Sequence, residues 1–193
     1  MKIPNQTEQT AERAEKRSWL REHYRQVLSL VFVIALSAVI FIYRDKVAEL
    51  GLYGYLGVFI ISVITSSSIV VPVPGWILVA TLGATLNPVL VGIISGIGGT
   101  LGEITGYLFG YGSRIAVENA GIYGRMVGWM KRRGSLTIFV LALIPNPLFD
   151  VAGAAAGMLR FPLWKFLLVG AAGRIPKHIL FAYIGAWGSH LLP

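Results

Sequence analysis

The chain has 193 residues, 55% hydrophobic and only 13% charged, with a mean hydropathy of +0.68, no cysteine and a formal net charge of +8. A soluble domain carries about 25% charged residues, so this composition excludes an ordinary soluble fold. Lack of cysteine excludes a disulfide scaffold, and the apolar excess excludes disorder. Residues 51–113 contain a single Asp, Glu, Lys or Arg, namely Glu103, which points to a polytopic membrane protein.

The basic residues are placed, not scattered. Six lie before position 26 (Lys2, Arg13, Lys16, Arg17, Arg21, Arg25) and five between 114 and 133 (Arg114, Arg125, Lys131, Arg132, Arg133), each group flanking apolar segments. This is the positive-inside pattern. It puts the N-terminus and the 113–134 basic linker in the cytoplasm and argues against a nucleic-acid partner.

In chain order, residues 1–26 read as a cytoplasmic segment, either an interfacial helix carrying Trp19, Leu20 and Tyr24 or a frayed tail. Residues 27–193 read as the membrane domain. Val27 to Tyr43 is a first span of 17 apolar or small residues, just enough for a hydrocarbon layer of about 30 Å. It follows too long and too acidic a region to suit a cleaved signal peptide. Arg44, Asp45, Lys46 and Glu49 are expected to form a short polar loop.

Residues 52–112 form a first repeat unit. Pro72 and Pro74, followed by Gly75, stop a helix because proline lacks the N–H and clashes with the preceding turn. Broken backbone at membrane depth is tolerated only against protein or a wet cavity, so residues 65–86 are expected to belong to a re-entrant hairpin. Residues 135–192 form a second unit, with a hairpin around 144–159. At a shift of 73 or 74 positions, Pro72 and Pro74 match Pro145 and Pro147, Gly83 matches Gly157, Pro88 matches Pro162, and Glu103 falls on Lys177. The expected fold is an all-α polytopic membrane protein built as an inverted repeat of a re-entrant helical hairpin plus a spanning helix. Whether Pro162 to Leu192 is one kinked span or two stays open, and with it the side of the C-terminus.

The chemistry is expected where charge meets lipid. Glu103 lies about 22 Å along a helix begun at Val89, where a carboxylate must be paired, protonated or in a cavity. Gly98, Gly102, Gly106 and Gly110 beside it form a bare packing ridge. Tyr107, one turn on, can bond the carboxyl or mark the bilayer boundary. In IPNPLFDVAGAAAG (Ile144 to Gly157), Asn146 offers an amide at a break, and Asp150 either caps a new helix or lies at a hairpin tip. Arg174, Lys177 and His178 share a helical face, with Pro176 bending the chain among them. The two cations need the partners Glu103 and Asp150, an anionic substrate, or room to snorkel. No nucleotide loop, metal cluster or nucleophile elbow is present, so no enzymatic activity, metal or cofactor is expected.

GGTLGEITGYLFGYGSR (Gly98 to Arg114) and IPNPLFDVAGAAAGMLRFPLWKF (Ile144 to Phe166) resemble the DedA superfamily, also called the VTT-domain or SNARE-associated Golgi protein family. The PNPLFD core is similar to the vacuole membrane protein branch. The resemblance spans roughly residues 65–187. It implies two re-entrant hairpins and movement of lipids across bilayers: scrambling of phospholipids in eukaryotes, and transport of undecaprenyl phosphate or phospholipids in bacteria, often linked to the proton motive force. It carries the family's acids onto Glu103 and Asp150 and its distal basic group onto Arg174. The first hairpin has no acid and position 142 is Ala, which departs from many bacterial members and favours the scramblase-like branch.

The sequence thus leads to a lipid transporter or scramblase (flippase) whose polar groove between the hairpins takes the headgroup of a phospholipid or polyprenyl phosphate. Glu103, Asp150, Asn146, Arg174, Lys177 and Tyr107 are its substrate or coupling residues, and Pro72, Pro74, Pro145, Pro147, Gly83 and Gly157 its structural hairpin positions. Its partners are anionic membrane lipids and, in a coupled mechanism, protons; an oligomer is compatible with the sequence. It would be an integral multi-pass protein, of the plasma (inner) membrane in a prokaryote. The alternatives are a proton- or ion-coupled transporter of a small anion and a non-transporting membrane scaffold.

Overall fold

A computed structural model of the chain describes residues 31, 33–67, 75–112, 121–145 and 148–189. The expectations for the N-terminal segment, Pro72, Pro74, Asn146 and Pro147 lie outside the described residues. Among the described residues the regular structure is all helical: α1 (Val33–Ile42), α2 (Arg44–Glu49), α3 (Leu52–Ser67), α4 (Gly75–Gly83), α5 (Pro88–Gly102), α6 (Ile104–Gly112), α7 (Gly121–Leu143), α8 (Leu148–Met158) and α9 (Leu163–Ser189).

Helix ends fall where the sequence supplies stop and start signals. α3 ends at Ser67 and α4 starts at Gly75, on either side of the first proline pair; α7 ends at Leu143 and α8 starts at Leu148, on either side of the second. Asn87 caps α5, its side-chain oxygen accepting from the Val89 and Leu90 amides at 3.0 and 3.2 Å, with Pro88 at the first helical position where a missing N–H costs nothing. Two stretches are long and apolar enough to cross a membrane: Pro88–Gly112, which joins α5 to α6, and α9. At 1.5 Å per residue they reach about 37 and 40 Å, beyond the roughly 30 Å of hydrocarbon.

Two expectations need correction, and one open question is answered. The polar loop at 44–49 is the helix α2. The basic linker is helical from Gly121 onward, because Met126, Val127 and Met130 bury one face against a core that includes Phe166 and Tyr107. It kinks at Arg133 (φ −146°, ψ 60°). Pro176 lies inside α9 without ending it, so Leu163–Ser189 is one helix.

Glycines set how close the helices come. Gly92, Gly96 and Gly99 of α5 face Ile179, Ile175 and Arg174 of α9, so these two helices run antiparallel in close contact. The Gly98 to Gly110 ridge divides its partners: Gly98 and Gly102 face the Phe59 and Val63 carbonyls of α3, whereas Gly110 faces the Ala154 carbonyl of α8. Short helices cross between units. On α4, Gly83 meets Ala182 of α9 and Ala80 meets Gly185; on α8, Gly157 meets the Tyr107 carbonyl of α6 and Ala154 meets Gly110.

A methyl at Gly110 falls on backbone that cannot yield, and such overpacking costs about 1–3 kcal/mol. Gly57, on α3, has nothing within 4 Å of an added Cβ. Gly110→Ala should therefore lower the thermal midpoint of the detergent-solubilised protein, while Gly57→Ala should hold or raise it, through a helix-propensity gain of up to about 1 kcal/mol.

Candidate functional site

The site forms where the α5–α6 junction, the first turn of α8 and the middle of α9 meet. Glu103 stands at the junction, but its amide still bonds the Gly99 carbonyl (3.3 Å) and its carbonyl accepts from the Tyr107 amide (3.0 Å), so the helical path continues through it. Glu103 is 9 residues from Gly112, and Arg174 is 11 from Leu163, or about 14 and 17 Å along their helices. Since α5 and α9 are antiparallel, both side chains sit at matching depth, well inside two helices long and apolar enough to cross a membrane.

At that depth Arg174 Nη2 donates to Glu103 Oε1 at 2.6 Å, and the two residues are 6% and 3% exposed. Arg174 Nη1 donates to Ser66 Oγ of α3 at 3.2 Å. The guanidinium also lies 4.8 Å from the centre of the Phe149 ring, a cation–π arrangement. Gly99, one turn before Glu103, leaves the opening through which the arginine passes, since a Cβ there would meet Nη1.

Asp150, in the first turn of α8, lies within electrostatic reach of Glu103 and Arg174. Its position also suits the positive end of the α8 dipole. Lys177, one turn beyond Arg174, interacts electrostatically with both carboxylates. Two acids and two bases from α5–α6, α8 and α9 thus form one cluster. The glycine at 153 leaves Glu103 Oε2 3.6 Å from where a Cβ would stand. Arg174 Nε is buried with no hydrogen-bond partner.

The structure therefore brings together Glu103, Asp150, Arg174 and Lys177. Tyr107 belongs elsewhere: its hydroxyl donates to the Phe161 carbonyl at 2.7 Å, closing the α8–α9 turn, and its ring packs against Phe166. It neither bonds the Glu103 carboxyl nor sits at an exposed boundary. Pro145 precedes α8 and is exposed, while Gly83 and Gly157 sit at helix contacts. Sequence reasoning missed Ser66 as a partner of Arg174, Phe149 as its ring, and the 2.9 Å hydrogen bond between Ser95 Oγ and His178 Nδ1. Only the last carried a signal, a small polar residue among the α5 glycines. Among the described residues no group of three or more His, Asp or Glu is placed to hold a metal ion.

Removing one partner of a buried ion pair leaves an uncompensated charge and typically costs about 3–5 kcal/mol. Glu103→Gln and Arg174→Gln should each lower the thermal midpoint in detergent, and the double substitution should lower it by less than the sum of the two. Arg174→Lys should not restore wild-type stability, because an ammonium lacks the planar fork that serves Glu103 and Ser66 together.

A family model, the VTT domain, matches residues 73–187. Two curated proteins of Arabidopsis thaliana, vacuole membrane proteins KMS2 and KMS1, are each 44% identical to the chain over 50 residues, which is 25% of this chain and 12% of theirs. The chain thus matches about one eighth of the length of these relatives. No solved structure matches it. The matched region holds α4 to α9 nearly entire, with every member of the charged cluster, and the chain belongs to the VTT-domain family of membrane proteins.

Proposed function

We propose that the chain is a lipid transporter or scramblase, in which the cluster of Glu103, Asp150, Arg174 and Lys177 receives a phosphate-bearing headgroup while the acyl chains stay in the bilayer. The observation that carries this reading is the buried Glu103–Arg174 pair, with Lys177 and the more exposed Asp150 beside it, inside helices long and apolar enough to cross a membrane. Ionisable groups at such positions are expensive wherever they have no task, and packing alone is met more cheaply by apolar side chains.

In this mechanism Glu103 and Asp150 neutralise Arg174 and Lys177 when no substrate is present. An arriving phosphate replaces a carboxylate on the guanidinium, so neither the headgroup nor the cation is ever buried unpaired. The Arg174 Nε proton, without a protein acceptor, is a donor available to such a phosphate. Asn146 would add an amide at the adjacent chain break. No enzymatic step is involved.

The reading includes an inverted repeat with two re-entrant hairpins, α4 and α8 being their inner arms. It is supported by the antiparallel contact of α5 with α9 and by the reciprocal crossing of short helices, in which Gly83 on α9 and Gly157 on α6 play like parts. On the same reading the surface that holds the α7 kink and the α8–α9 turn is cytoplasmic, since Lys131, Arg132, Arg133, Arg160 and Lys165 gather in those segments.

Liposomes holding the purified protein should exchange a fluorescent phospholipid between leaflets faster than protein-free liposomes, with or without a pH gradient. Glu103→Gln and Arg174→Gln, scored on the folded fraction, should each slow exchange by roughly tenfold or more, as expected for a lost charge-assisted contact. Wild-type exchange no faster than the protein-free control would remove the reading, and exchange that appears only with a gradient would favour the ion-coupled alternative.

A further inference from the structure

A groove of about 320 Å³ lies along α7 at its kink, and no member of the charged cluster lines it. Trp129, Leu136, Val140 and Leu141 form its walls, and Arg132 and Arg133 line it between Trp129 and Leu136. The remaining polar side chain, Thr137, turns its hydroxyl inward to the Arg133 carbonyl at 3.0 Å. The walls therefore offer water nothing to bond, and such a space does not hold ordered water.

Depth indicates what fills it. Gly173, next to Arg174, packs against Phe139 and Ala142 of α7. Arg133 precedes Ala142 by 9 residues, about 14 Å along the helix. Taking Arg174 near the middle of a hydrocarbon layer about 30 Å thick puts the two guanidinium groups at headgroup level, with the groove walls running down among the acyl chains. The Arg160–Phe161 turn is at the same level, since Phe161 packs on Gly134 and Arg160 lies 5.5 Å from the Tyr111 ring. Both Arg132 and Arg133 are exposed, and neither has a carboxylate partner among the described residues.

We propose that this groove is a binding site for one anionic phospholipid of the surrounding bilayer, its phosphate held by Arg132 and Arg133 and one acyl chain lying against Leu136, Val140 and Leu141 beside Trp129. Two adjacent guanidinium forks suit a phosphate bidentately, and Trp129, one turn before them on α7, is an aromatic of the kind found at membrane–water interfaces. An anionic headgroup leaves net charge for both arginines, whereas a zwitterionic one brings its own cation into their field. The site is separate from Glu103 and Arg174, so it holds whether or not that cluster moves lipid.

The test is a titration of the delipidated full chain in detergent with phosphatidylglycerol and with phosphatidylcholine of the same acyl chains, followed by native mass spectrometry. Wild type should bind the first about tenfold more tightly, on the scale of two basic residues facing an anionic headgroup. R132Q/R133Q, at two exposed positions, should reduce that ratio below about twofold. Val140→Trp, which fills the groove without altering charge, should weaken binding of both lipids. Glycerol phosphate should not displace the bound lipid. Equal affinity of wild type for the two lipids, a preference that survives R132Q/R133Q, unchanged binding by Val140→Trp, or displacement by glycerol phosphate would each overturn the proposal.

Discussion

The contact between Glu103 and Arg174 constrains everything around it. A carboxylate and a guanidinium in a low-dielectric layer are stable only as neighbours. Around this 2.6 Å contact α5 and α9 lie almost backbone to backbone. Gly92, Gly96 and Gly99 permit that approach, and Ser66 and Phe149 then engage Nη1 and the face of the guanidinium, while Nε keeps no hydrogen-bond partner. The glycine-rich face of α5 thus serves the seating of Arg174 at Gly99 as well as helix packing, where van der Waals fit and hydrogen bonds replace the hydrophobic drive between helices.

The short helices α4 and α8 follow from the same requirement. A continuous rod through position 148 would carry α7 past the site, with no first turn to aim Asp150 at Glu103. The break before Leu148 sets the start of α8 there, and its small residues Ala152, Gly153, Ala155, Ala156 and Gly157, all buried, let it lie flat against α6. Tyr107 fixes the far end of this arrangement by tying α6 to the Phe161 carbonyl. A phenol that looks like a coupling group in the sequence is a clamp holding the α8–α9 turn.

Much of this was legible in the residues. Proline pairs mark backbone breaks because their chemistry permits little else, and a lone acid in an apolar run announces a partner. That Arg174 and Lys177 had few anions to choose from narrowed the pairing further. Other features depend on which surfaces meet in three dimensions. The glycine ridge reads as a single face, yet α3 covers its first half and α8 its second, a division set by where α3 ends. Residues 121–134 read as a loop because glycine and arginine dilute their hydropathy, while Met126, Val127 and Met130 still supply an apolar face once a core exists to receive it. Ser66 carried no mark at all, since a serine in an apolar helix usually bonds its own backbone, as Thr65 and Ser67 do.

The kink at Arg133 shows how one constraint passes along the chain. Gly173 brings α9 against Phe139 and Ala142, which fixes the membrane-embedded half of α7 next to the charged cluster. The other half must instead present Met126, Val127 and Met130 to the core around Phe166. A straight helix cannot satisfy both contacts, and the non-helical backbone at Arg133 absorbs the difference. The bend carries two exposed arginines, Arg132 and Arg133, and opens an apolar space beside them. The geometry that seats a buried ion pair at the centre of the protein therefore also shapes its surface toward the lipid.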